Sequence, residues 1–230
     1  MKHIVADLGV MRHPDIVHFR LEPLVDLNAS RIIAYEVLSE LQGNLNPENW
    51  FSQLSGREQI TILCQQLRCV SIKVKETCFY NLSVEGFLTL NHRDIAEIAM
   101  FPRVCLEVSD ATVLKYLNEK ELYVFFKNIS RLRFLGVKIW IDDFSVNDLI
   151  TLPSYQGNVD GIKIDKNEIH SRHLVGIVNL VRKILRNVPV LIEGVESERD
   201  LNTSIISGPI SLKAITGRIK ILSLFNLSVK

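Results

Sequence analysis

Seven short apolar runs, at 24–26, 31–35, 78–81, 104–108, 137–141, 161–164 and 188–192, recur along a 230-residue chain, with longer helix-period stretches between most of them. That alternation calls for a mostly parallel sheet whose strands are each followed by a covering helix. The runs are apolar almost throughout, as in Val137, Ile139, Trp140 and Ile141, which suits strands buried on both faces. The predicted class is α/β. No Gly/Ser linker, low-complexity tract or internal repeat divides the chain, so one large core over 1–230 is expected. The pattern weakens beyond Leu201, and residues 202–230 diverge from it.

The helical stretches carry their own punctuation. Asn46, Pro47 and Glu48 supply a cap, a first-turn proline and an early acid ahead of Ile60, Leu63 and Leu67. Ser83 stands where it can cap the next helix. Asp110 opens a stretch with Val113, Leu114 and Leu117 on one face, and the spacing then predicts a helix over 118–135, stopped by Gly136. Leu174, Ile177, Val178, Val181, Ile184 and Leu185 form an amphipathic stripe that reads as the inner face of a barrel helix.

Acids follow the apolar runs: Glu36, Glu107, the pair Asp142 and Asp143, Asp165 and Glu193. An unpaired carboxylate at low dielectric must neutralise or find a cation. In α/β barrels the loops after the strands converge at one face, where sites are built. The recurrence therefore points to a metal or convergent polar site. Taken singly, Asp142 and Asp143 would more simply cap a helix or line a wet turn. Lys163 would more simply lie on the surface, but its alternation with Ile162 and Ile164 turns it inward. His92, His170 and His173 lack ligand spacing, and Trp50 and Trp140 read as packing anchors.

Lys plus Arg (27) nearly equals Asp plus Glu (26), which removes the electrostatic case for direct nucleic-acid or anionic-membrane binding. Cys64, Cys69, Cys78 and Cys105 lack CxxC spacing and read as reduced core residues, in keeping with the cytoplasm. No run approaches the ~20 apolar residues of a membrane span, and no signal-peptide order opens the chain.

The series Glu22 to Leu27 (EPLVDL), Tyr35 to Leu38 (YEVL), Asn81 to Ser83 (NLS), Leu106 to Asp110 (LEVSD), Asp142 to Phe144 (DDF), Val159 to Asp165 (VDGIKID) and Glu193 to Glu196 (EGVE) resembles the EAL domain. That family comprises bacterial cyclic-di-GMP phosphodiesterases and their inactive relatives, and the resemblance spans roughly 19–201. It implies a modified TIM (β/α)8 barrel with one strand antiparallel, and two-metal hydrolysis of a phosphodiester bond. It further implies that Glu36, Asn81, Glu107 and Asp142 bind a first Mg²⁺ or Mn²⁺, that Asp143 bridges to a second, and that Glu193 is metal-associated. By the same resemblance Lys163 orients the attacking water and Glu196 supports the loop that organises the second metal.

The departures fall where a nucleotide would bind. Glu40 replaces the arginine of Glu-Ala-Leu-x-Arg, exchanging a bidentate donor for a like charge beside phosphate. Glu22 replaces a glutamine, and Lys213 stands near the place of a late glutamine. After the Asp pair, Ser145, Val146 and Asn147 replace a glycine-bearing loop, an exchange that alters and stiffens it. These departures favour a degenerate regulator without effective hydrolysis, requiring no cofactor, binding cyclic-di-GMP weakly or not at all, and acting through a protein partner. Short degenerate relatives in enteric bacteria suggest the flagellar activator FlhD/FlhC by analogy. The alternative is an active Mg²⁺- or Mn²⁺-dependent phosphodiesterase.

Overall fold

The computed structural model describes residues 13–26, 31–43, 45–186, 188–194 and 211–213. Eight strands close a barrel in chain order: β1 (Ile16–Asp26), β2 (Arg31–Leu41), β3 (Thr77–Leu82), β4 (Val104–Val108), β5 (Lys138–Phe144), β6 (Gly161–Ile164), β7 (Val190–Ile192) and β8 (Ser211–Lys213). β1 runs antiparallel to both of its neighbours, β2 and β8, while the remaining pairings are parallel. The barrel with a single reversed strand is thus the observed fold.

Among the described residues six α-helices lie outside: α1 (Pro47–Ser52), α2 (Gly56–Val70), α3 (Val84–Thr89), α4 (His92–Ala99), α5 (Glu119–Phe134) and α6 (Leu174–Leu185). The stretch after Asn46 forms two helices, not one. Asn46 caps α1, and Ser55 caps α2 anew through a reciprocal pair of bonds with Glu58. Asn118 and Glu121 cap α5 in the same way, and Gly136 just beyond it adopts a φ of +92°. The stretch after Asp110 departs from the expected helix: Ala111–Tyr116 is a 3₁₀ segment that Asp110 does not cap. Its Oδ1 instead accepts the Val84 amide at 2.6 Å, so the acid serves the first turn of α3. Of the α6 stripe, Leu174, Ile177, Val178, Val181 and Leu185 are buried, and Ile184 packs against the core.

Asp165 and Glu193 lie directly behind β6 and β7, as expected, but the other acids lie within their strands. β2 continues through Glu36 to Leu41, β4 contains Glu107, and β5 extends through Asp142 and Asp143 to Phe144. Side chains two residues apart on a strand share a face, so the barrel interior is layered. Leu24, Ala34, Phe79, Cys105 and Leu191 make a small apolar core, with Trp140 packed against it. Two positions along the same strands stand Glu22, Glu36, Asn81, Glu107, Asp142 and Glu193, and the step from Gly161 on β6 gives Lys163. On the reversed β1 the order is inverted, with Glu22 preceding Leu24.

Gly161 belongs to the apolar layer for a steric reason. A Cβ there would sit 2.1 Å from Cε2 of Trp140, whose ring meets Phe79 edge-on at 5.1 Å. Trp50 anchors instead at the periphery, donating Nε1–H to Asp15 Oδ2 at 3.0 Å. All four cysteines are free thiols, three of them buried. Among the described residues no helix is long and apolar enough to cross a membrane.

Candidate metal centre

Lys163 is fully buried, and its ammonium is the hub of the polar layer. Its Nζ lies 2.6 Å from Glu107 Oε1, 3.1 Å from Asp142 Oδ1, 3.2 Å from Glu193 Oε1 and 3.3 Å from Glu36 Oε2. Asn81 Nδ2 donates to the other oxygen of Glu36 at 3.0 Å. Burial acts to lower the lysine pKa, but the carboxylates of Asp142, Glu107, Glu36 and Glu193 outweigh it and hold the group well above its ordinary value. Four carboxylates around one ammonium leave an excess of three negative formal charges. Such an excess in a buried layer calls for further positive charge.

The layer opens at Asp143. Oxygens of Asp142, Asp143 and Glu193 all lie within 4.8 Å of one another. The Asp143 carboxyl is pushed up to about 7, first by desolvation and then by repulsion from Asp142, Glu193 and Asp165. Its backbone is left-handed, with φ at +48°, a conformation that costs an L-residue about 1–2 kcal/mol. Gly194 turns the chain immediately after Glu193 with φ at +77°, and a Cβ there would approach Lys166 Cβ to 2.6 Å. A hard, all-oxygen donor set with surplus negative charge fits Mg²⁺ or Mn²⁺.

The structure thus gathers Glu36, Asn81, Glu107, Asp142, Lys163 and Glu193 in one cup and sets Asp143 on its rim. Glu196 lies outside the described residues. Asp165 does not join the cup, because its Oδ1 accepts the backbone and side-chain amides of Asn167 at 2.7 and 2.9 Å. Glu22 is a member that sequence reasoning treated only as a lost glutamine. It lies opposite Glu36 across β1 and β2, is buried, and receives Arg20 Nη2 at 2.9 Å. Its two-residue step from Leu24 was the available signal. Farther out on β2, Glu40 lies 3.8 Å from Arg20 Nε and 4.0 Å from His18 Nε2, a partnered acid at the rim and not a lone one.

The loop after Asp143 opens with a 3₁₀ turn, Val146–Asp148, and a second 3₁₀ segment, Leu152–Tyr155, follows before β6. Ser145 donates its amide and hydroxyl to Asp148 Oδ2 at 3.1 and 2.7 Å. The Val146 amide donates to Glu168 Oε1 at 3.0 Å. Neither Ser145 nor the turn needs a glycine conformation; the positive φ falls on Asp143 itself.

Fold and site together define an α/β barrel with carboxylates gathered around a buried lysine at the C-terminal ends of its parallel strands. The EAL domain model matches residues 11–208, and the chain belongs to that family. Among curated proteins, the probable cyclic di-GMP phosphodiesterase PdeI of Escherichia coli (strain K12) is 34% identical over 101 residues, which cover 41% of this chain and 12% of that protein. An uncharacterized signaling protein of Caulobacter vibrioides is 33% identical over 122 residues, covering 49% and 14%. The matched segments are thus small parts of these relatives. Among solved structures, Klebsiella pneumoniae BlrP1 in a manganese/cyclic-di-GMP complex superposes with a TM-score of 0.73 at 18% identity, over 92% of this chain and 57% of that one. The FimX EAL domain of Pseudomonas aeruginosa bound to cyclic-di-GMP gives 0.67 at 17% identity, over 85% and 87%. At these identities the two structures speak for the fold alone.

Proposed function

We propose that this chain is a divalent-metal-dependent phosphodiesterase acting on cyclic-di-GMP. The observation that carries the proposal is the gathering of Glu36, Asn81, Glu107, Asp142 and Glu193 around Lys163, with Asp143 at the mouth. The donor chemistry suits Mg²⁺ or Mn²⁺, which Glu36, Asn81, Glu107 and Asp142 would hold, while Asp143 and Glu193 would serve a second ion. Such ions supply an acidified water and neutralise charge on a reacting phosphodiester. Lys163 holds the carboxylates together and presents a fixed ammonium where a nucleophilic water would be oriented. The names of PdeI and BlrP1's ligand support the same substrate.

The test is release of linear dinucleotide from cyclic-di-GMP in Mn²⁺. The expected result is turnover that falls at least about 100-fold in Glu36→Ala, equivalent to ~2.7 kcal/mol. Absence of turnover in the unaltered chain sinks the proposal.

A second reading, favoured by the carboxylates of Glu22 in the polar layer and Glu40 at the rim, is a cytoplasmic regulator with weak or no nucleotide binding that acts by contacting FlhD/FlhC. Calorimetry that shows no heat with cyclic-di-GMP, together with capture of purified FlhD/FlhC, would establish it over the first.

A further inference from the structure

We propose that Glu168 is a positioning residue for Asp143, acting through the Val146 amide; the functional consequence rests on the metal-centre reading above. Phe144 is buried and fixes the end of β5, with its ring edge-on to Tyr155. The chain then leaves the barrel, and its next two amides both meet carboxylates. Ser145 finds Asp148 within its own turn, which closes the loop on itself but ties it to nothing else. Val146 finds Glu168, 22 residues onward in the 3₁₀ segment Lys166–His170 that follows β6. Glu168 is itself buried and Val146 half-buried, so this bond is partly shielded from competing water.

The same two strand exits are joined a second time, by the Asp165 amide donating to the Phe144 carbonyl at 3.1 Å. Between them the two bonds bracket the backbone immediately after Asp143. That placement matters because Asp143 is left-handed without being glycine, and such a conformation persists only where its surroundings over-determine it. A single acceptor on the neighbouring strand's exit therefore fixes where the Asp143 carboxylate stands relative to Asp142 and Glu193. The glycines that the resemblance leads one to expect are absent, and a cross-loop carboxylate takes over the work of shaping the turn.

Glu168→Ala removes the acceptor, whereas Glu168→Gln keeps an oxygen that can receive the same amide. Two measurements decide the matter: hydrogen exchange of the Val146 amide, and Mn²⁺ affinity by calorimetry. In Glu168→Ala the amide is expected to exchange at least about tenfold faster. Mn²⁺ binding is expected to weaken at least about tenfold, the scale of a lost outer support. Glu168→Gln should remain near the unaltered chain in both. Should Glu168→Ala not fold, Glu168→Leu retains bulk and burial without an acceptor and takes its place. Unchanged exchange on losing the acceptor, or a glutamine variant as impaired as alanine, overturns the proposal. If exchange rises but Mn²⁺ affinity does not, Glu168 ties the loop without positioning Asp143, and the proposal falls. If the unaltered chain takes up no Mn²⁺, the metal-centre reading fails, while the exchange data still decide whether Glu168 holds the loop.

Discussion

Inside one barrel, two layers of side chains lie two residues apart along the same strands and obey opposite rules. Ala34, Phe79, Cys105, Trp140 and Leu191 form a plug in which shape decides, to the point that Gly161 must lack a Cβ. Glu36, Asn81, Glu107, Asp142 and Glu193 form a cup in which charge decides, balanced in part by Lys163. The plug contributes stability through contact and exclusion of water. The cup accumulates repulsion that a cation would relieve. A strand pair shifted by one residue would turn both sets outward together, so the apolar layer also secures the register on which the polar layer depends.

The comparison is broken most forcefully at Lys163. Lys163→Met leaves buried carboxylates without their ammonium and is expected to destabilise the metal-free protein by about 3–5 kcal/mol, read from urea unfolding in chelator. A loss below ~1 kcal/mol would mean that the cup is not held by charge. Gly161→Ala attacks the plug. The overlap with Trp140 is expected to cost about 1–3 kcal/mol by the same unfolding measurement while leaving Mn²⁺ affinity unchanged, and a fall in affinity would show that the layers are not independent. The smallest effect belongs to Glu193→Gln, which should weaken Mn²⁺ binding about tenfold, or ~1.4 kcal/mol, in calorimetry. Because it removes one of several like charges, its unfolding midpoint should not drop; a marked drop would mean that Glu193 is held by attraction to Lys163 more than it is repelled by its neighbours.

Much of this was legible before any coordinates. The strands around Val104, Gly161 and Val190 were readable from apolar runs because both faces of a barrel strand are buried. The caps at Asn46 and Ser83 were likewise readable, because a side-chain oxygen followed by the right spacing is a local signal. The ordered motifs grouped Glu36, Asn81, Glu107, Asp142, Lys163 and Glu193, but they did not announce Glu22 beside Glu36. What escaped was the extent of β2 and β5: a strand that carries its acids inward looks, in one dimension, like a strand that has ended. Asp110 misled for a related reason, since its side chain reaches Val84 across 26 positions. Arg20 and Glu168 were invisible because their partners lie on other segments, and no local period announces such a meeting.

Asp143 combines a backbone that the fold would prefer to relax with a carboxylate at the mouth of the cup. Glycine at this position would ease the left-handed turn and remove the donor in one stroke. Laboratory selection for heat tolerance alone should therefore drift away from aspartate at 143, while selection for cation capture should keep it. Variants recovered from the two regimes would record, in a single codon, the exchange between durability and chemistry.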